Sequence, residues 1–236
     1  MFPMSDFRPA EKAFFAPLIV FLGVMMCSQF LSGIFDGRAF WVFSKPQYWV
    51  HPAQVLICGV LLARWWRHYE WRPPQRVFFT VFIGVLTLVL WVSPLAYLGE
   101  TFFGLDPRKP GFDPAFFGAD GWPYYLNVGI RFVRLVIIVP LVEEIFWRGF
   151  LLRWLIDADF LKVPIGTFQW KAFSIVSVLF MMEHTPPDWP AALLTGVLFN
   201  LVATRTRSLS SCVLVHAITN LLLGLYILQT GKTGFW

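Results

Sequence analysis

Seven apolar runs recur along this chain, at about residues 14–35, 50–66, 77–99, 124–156, 168–183, 189–204 and 209–229. A bilayer's hydrocarbon core is ~30 Å thick, and a helix of ~20 apolar residues crosses it. Backbone N–H and C=O groups find no water there, so only helices and closed barrels can span it. None of these runs alternates apolar and polar residues as a barrel strand does. The fold class that follows is all-α, a polytopic transmembrane helix bundle of about seven to eight spans, read as one integral membrane domain over residues 1–236. Composition points the same way. Hydrophobic residues make up 57% of the 236 and charged residues only 14%, where soluble domains carry ~25% charged. One soluble core of this size could not hide that much apolar surface. Disorder, a collagen repeat, a disulfide scaffold and a nucleic-acid-binding arm are excluded, so no nucleic-acid partner is expected. The first run is too long for a signal-peptide core and no A-x-A-like site follows it, so it reads as a retained span.

In such a chain the net charge of +5 records topology, because basic residues collect on cytoplasmic loops. Arg64, Arg67, Arg72 and Arg76 follow the second run, Arg153 and Lys162 the fourth, and Arg205 and Arg207 the sixth. The other side holds only Arg38, Lys45, Arg108, Lys109 and Lys232. The count places the N-terminus in the cytoplasm. The fourth run is the difficult one: its 33 residues would make ~50 Å of helix, more than one straight crossing needs. Pro140 could kink it. Two alternatives are an interfacial helix over about 116–131, with Arg131 and Arg134 at the headgroups, or two spans in place of one. Residues 104–122, rich in Gly, Pro and Asp, read as an ordered extramembrane loop. Cys27, Cys58 and Cys212 sit in apolar runs without ligand spacing and read as small buried hydrophobes. His51 and His68 read as surface or interface residues, and Trp41, Trp49, Trp65, Trp66 and Trp71 as interfacial aromatics.

Ionisable residues inside apolar spans are costly, so each one is a functional candidate. They concentrate in the second half. Glu143, Glu144 and Arg148 share one run, Glu183 and His184 end another, and His216 and Asn220 lie four residues apart on one face of a third. Each also has a structural reading. Glu144 and Arg148 form an i,i+4 pair in the favourable order, His184 before Thr185-Pro186-Pro187 can simply end a helix, and His216 with Asn220 can bridge helices. Three separate helices carrying such groups favour a shared site. Gly196 and Gly224 would permit close helix approach.

Carboxylates, histidines and an amide, with no serine, cysteine or lysine nucleophile motif, suit water activation. A carboxylate in a low-dielectric site can serve as general base, and histidine and amide donors can stabilise an oxyanion. The combination fits amide hydrolysis without a cofactor. Zinc held by two histidines and a glutamate is the alternative, though no H-E-x-x-H is present. Two other classes remain open: a non-catalytic scaffold or immunity protein whose polar groups only join helices, and a proton-coupled transporter, against which the lack of internal repeats counts.

The order E-E-x-x-x-R (Glu143, Glu144, Arg148), F-x-x-x-H (Phe180, His184) and H-x-x-x-N (His216, Asn220) resembles the CAAX prenyl endopeptidase and bacteriocin-processing family, CPBP or Abi. The resemblance covers about 80 residues, a third of the chain, and places the catalytic half at about 124–229. It implies an intramembrane glutamate protease in a membrane-embedded helix bundle. Glu143 would be the base, His184 would help activate water, His216 and Asn220 would form the oxyanion site, and Glu144 with Arg148 would support it. The substrate would be a membrane-associated protein or peptide. Met181-Met-Glu-His-Thr-Pro-Pro187 and the closing Thr230-Gly-Lys-Thr-Gly-Phe-Trp236 look like a narrower bacterial subgroup associated with exosortase protein sorting. That resemblance implies a multi-pass protein of the bacterial inner (cytoplasmic) membrane. Bacteria generally lack prenylated CAAX proteins, so the family name does not supply the substrate.

Overall fold

The computed structural model describes residues 8–34, 41–93, 98–101, 104, 108 and 111–236. The described residues form helices and loops, with no strand among them. Each apolar run is helical: α1 Pro9–Ile34, α2 Gln47–Trp65, α3 Val77–Val92, α4 Trp122–Trp154, α5 Trp170–Met182, α6 Trp189–Thr206 and α7 Leu209–Thr230. By length and composition α4, α7 and the Pro9–Leu31 part of α1 can each cross a membrane outright, while α3 and α5 are shorter apolar helices. Phe78 is 94% exposed and Trp122 74%, the outward-facing apolar side chains a hydrocarbon environment accommodates. The protein is an all-α helical membrane protein. Phe35, Arg38, Lys109 and residues 94–97, which entered the span and charge readings, lie outside the described residues.

The chain divides into two compact units, Met1–Tyr69 with Phe112–Glu143, and Glu70–Gly111 with Glu144–Trp236. In the first, α1 packs on α2, and α2 on the opening part of α4. Pro17 lies inside α1 and has no N–H to give the carbonyl of Ala13, four residues earlier. The Tyr69 hydroxyl donates to that carbonyl instead, at 3.0 Å, with its ring edge-on to Phe14 at 5.4 Å. Gln54, fully buried, donates to the Phe21 carbonyl at 2.9 Å and ties α2 to α1.

In the second unit α5 packs on α6, and α3 on α6 and α7. Glycines let two helix crossings come close. A Cβ at Gly196 would meet the Ser177 carbonyl oxygen at 3.0 Å, and one at Gly84 would meet Ile218 Cγ2 at 2.9 Å. Thr219 donates to the Gly84 carbonyl across the latter crossing, at 3.1 Å. Gly196 thus works as its sequence suggests, and Gly224 is buried. Side chains start the helices at this end: Gln169 accepts from Ala172 N–H at α5 and Ser208 from Ser211 N–H at α7. Gly231, with φ 68°, closes α7.

The long fourth run resolves into one helix. α4 runs unbroken for 33 residues, so neither a separate interfacial helix over 116–131 nor a second span forms, and residues 114–117 make a turn. Pro140 does not interrupt it because the backbone widens just before it. Arg134–Ile138 is π-helical, and Val139 N–H reaches the Arg134 carbonyl five residues back. A second π-helical stretch, Ile145–Leu151, begins directly after Glu144. Such wide turns often mark functional sites.

Candidate active site

The site is built around two residues one turn apart in the second unit. Glu144 and Arg148 are both fully buried, and Arg148 Nη1 lies 3.0 Å from each carboxylate oxygen of Glu144. The pair anticipated from i,i+4 spacing therefore forms, but it is not isolated. His216 on α7 places Nδ1 2.8 Å from Glu144 Oε1. Arg148 Nε donates to Asn200 Oδ1 on α6 at 3.0 Å, and Nη2 to the Gly196 carbonyl at 3.4 Å. Asn200 Nδ2 in turn donates to Ser177 Oγ at 3.1 Å and the Phe173 carbonyl at 3.2 Å on α5. Phe180 and Phe199 lie against the guanidinium, 5.1 and 5.5 Å from their ring centres. Four helical segments are thus tied by one network. A buried ion pair is tolerated only when its remaining donors and acceptors are met, and these bonds meet them.

The histidines are oriented by what faces Nδ1. A carbonyl only accepts, so His184 Nδ1, 2.8 Å from the Phe180 carbonyl, is the donor, and in the neutral ring the lone pair sits on Nε2. His184 lies just past the end of α5, half-buried. Its ring lies 5.0 Å from Phe180 and 5.4 Å from Trp91, and its carbonyl accepts from Trp189 Nε1 at 3.1 Å. The Glu144 carboxylate imposes the same orientation on His216, whose ring is 5.3 Å from Phe199. Asn220 follows one turn later on α7, half-buried. The neighbouring Glu183 accepts from Trp147 Nε1 at 3.1 Å.

Glu143 is buried at 9% exposure and closes the first unit. There its carboxylate lies within the electrostatic reach of Arg134. The structure therefore brings Glu144, Arg148, Phe180 and His216 into direct contact, with His184 against Phe180 and Asn220 beside His216 along α7. Among the described residues no three His, Cys, Asp or Glu side chains are grouped as metal ligands would be.

Several assignments made from the sequence change. His51 is buried at 8% exposure, its Nε2 3.1 Å from Arg131 Nη1, while His68 is exposed as expected. Arg131 is buried, and Arg134 donates to Gln54 Oε1 at 2.6 Å. Both arginines find partners on α2. Cys58 and Cys212 are buried, but Cys27 is exposed. Asn200 is the main residue the sequence reading missed. The available signal was an amide inside an apolar run, the same signal that singled out Asn220.

Residues 126–222 match the family model for the Rce1-like type II CAAX prenyl endopeptidases. This segment is similar to the CAAX protease family. It covers roughly two-fifths of the chain and holds every motif residue from Glu143 to Asn220. The match extends the resemblance carried by the three motifs to a whole segment, and it supports a CAAX-type membrane protease in general terms. No curated protein and no solved structure matches the chain.

Proposed function

We propose that the chain is an intramembrane endopeptidase that hydrolyses a peptide bond in a membrane-associated protein or peptide, using water activated by glutamate and histidine without a metal. We place it in the bacterial cytoplasmic membrane as a multi-pass protein with a cytoplasmic N-terminus. The observation that carries the mechanism is the state of Glu144. Both its oxygens accept from Arg148, and one also faces His216, so its charge is committed to holding the network. The base role falls to its neighbour Glu143.

In this reading Glu143 takes a proton from water while the Nε2 lone pair of His184 orients that water. The hydroxide adds to the peptide carbonyl carbon, and the charge that develops on the carbonyl oxygen is met by His216 and the Asn220 amide. With Nδ1–H given to Glu144, His216 offers an N–H at Nε2 only when doubly protonated, and the neighbouring carboxylate compensates that charge. Collapse breaks the C–N bond, and Glu143 returns its proton to the leaving amine. Base and oxyanion donors of this kind typically contribute ~10²–10⁴-fold each.

The test is cleavage of membrane-anchored peptides, prenylated and unprenylated, by the purified protein in liposomes, read by mass spectrometry. Cleavage should be lost in Glu143→Gln and survive a chelator. Loss with chelator would move the reaction to zinc, and equal product from wild type and Glu143→Gln would remove Glu143 from the chemistry.

A further inference from the structure

The turn that carries His184 is held from outside the motifs. His184 lies beyond α5, in residues 183–188 leading into α6. Asp188 closes that turn on itself: its N–H donates to the Thr185 carbonyl at 2.8 Å, and its Oδ2 accepts from the Thr185 hydroxyl at 2.7 Å. The other oxygen, Oδ1, accepts from Arg108 through Nε at 2.8 Å and Nη2 at 2.6 Å. Arg108 Nη1 meanwhile donates to Glu100 at 3.2 Å, and its guanidinium lies 4.5 Å from the Phe235 ring centre. The Arg108 side chain is only 8% exposed, with Asp188 at 16% and Glu100 at 22%, so water screens the arrangement weakly.

Backbone packing points to the same place. A Cβ on Gly99 would sit 2.7 Å from the Pro187 carbonyl oxygen, so the helical residues 98–101 press directly on the turn. Trp189 Nε1 on the His184 carbonyl and the Trp91 ring on its imidazole complete the enclosure. These holds on the turn come from the same unit, and Arg108 reaches the turn as a full charge from elsewhere in the chain.

We propose that Arg108 is a positioning residue: through Asp188 it fixes the turn that presents His184, and so sets where the His184 imidazole stands. This rests on His184 having the role assigned above. Arginine suits the task because two of its donors bind Asp188 while a third reaches Glu100, a geometry a lysine point charge meets only in part.

The test uses the full chain in liposomes and two readouts. In the cleavage assay Arg108→Gln should lower kcat by roughly 10- to 100-fold, the size of effect expected from ~1 Å of misplacement, with KM nearly unchanged. Arg108→Lys should restore part of the rate. Asp188→Asn should match Arg108→Gln, and the double variant should be no slower than either single one, as partners in one interaction require. The second readout needs no protease activity: the rate at which diethyl pyrocarbonate modifies His184, followed by mass spectrometry with exposed His68 as internal reference. Release of the turn should raise the His184 rate by about fivefold or more, as local opening does, and leave His68 unchanged. A His184 rate equal to wild type in folded Arg108→Gln and Asp188→Asn would overturn the proposal. Should Arg108→Gln fail to fold, the rates in Asp188→Asn and Arg108→Lys decide it. If wild type cleaves nothing, the functional reading fails while the labelling still decides whether Arg108 holds the turn.

Discussion

Two arginine–carboxylate assemblies in the second unit use the same chemistry at different depths. Around Arg148 every charged atom lies inside the bundle. Glu144 and Arg148 are both 0% exposed, and their bonds run to residues on α6 and α7, with Asn200 carrying the network on to α5. Around Arg108 the ions are partly exposed, and the bonds run to a turn. The first assembly cannot lose a member without stranding a charge where no water reaches. The second can open at its rim. The inner network is thus part of what holds the helices together, whereas the outer one acts on a single functional side chain. A motif residue and a positioning residue can look alike as ion pairs and still differ in what their loss does.

That difference orders the expected effects. Arg148→Met should be the most damaging, lowering stability by about 3–5 kcal/mol because Glu144 remains buried without its cation. Combining it with Glu144→Gln should recover part of the loss, and thermal or denaturant unfolding in detergent would show both. Asn200→Leu should cost about 1–3 kcal/mol, since it leaves Arg148 Nε and Ser177 without their amide partner. Gly196→Ala should fall in the same range or below, about 1–3 kcal/mol, by pushing a methyl group against the Ser177 backbone. Lys162→Ala, which removes a surface ion pair to Asp159 whose lysine is 79% exposed, should change stability by less than about 1 kcal/mol. If Arg148→Met and Lys162→Ala proved equally mild, depth would not be what separates the assemblies.

Much of this was readable in the chain itself. The apolar runs locate the helices because hydropathy is a local property: α3 begins at Val77, α6 at Trp189 and α7 at Leu209, as read. By contrast α1 begins at Pro9, five residues before its run, and α3 ends at Val92, seven short of its own. The Glu144–Arg148 pair was readable for the same reason, its spacing being one helical turn. What escaped were partners far apart in sequence. Asn200 meets Arg148 across 52 positions, Arg108 meets Asp188 across 80, and His51 meets Arg131 across 80. Nothing local distinguishes Arg108 from a solvated loop charge. Pro140 misled in the other direction: its rule is to break or kink a helix, and the wide turn at Arg134–Ile138 absorbs it instead.

The sharpest division lies between two adjacent residues. Glu143→Gln and Glu144→Gln should be prepared side by side, with cleavage and thermal midpoint measured on each. Glu143→Gln is expected to fold with a midpoint lowered less than that of Glu144→Gln and to lose cleavage by ~10²–10⁴-fold, the scale of a missing general base. Glu144→Gln is expected to lower the midpoint, because Arg148 then lies buried opposite a neutral amide. A Glu143→Gln protein that cleaves at the wild-type rate would contradict the account, whatever Glu144→Gln does.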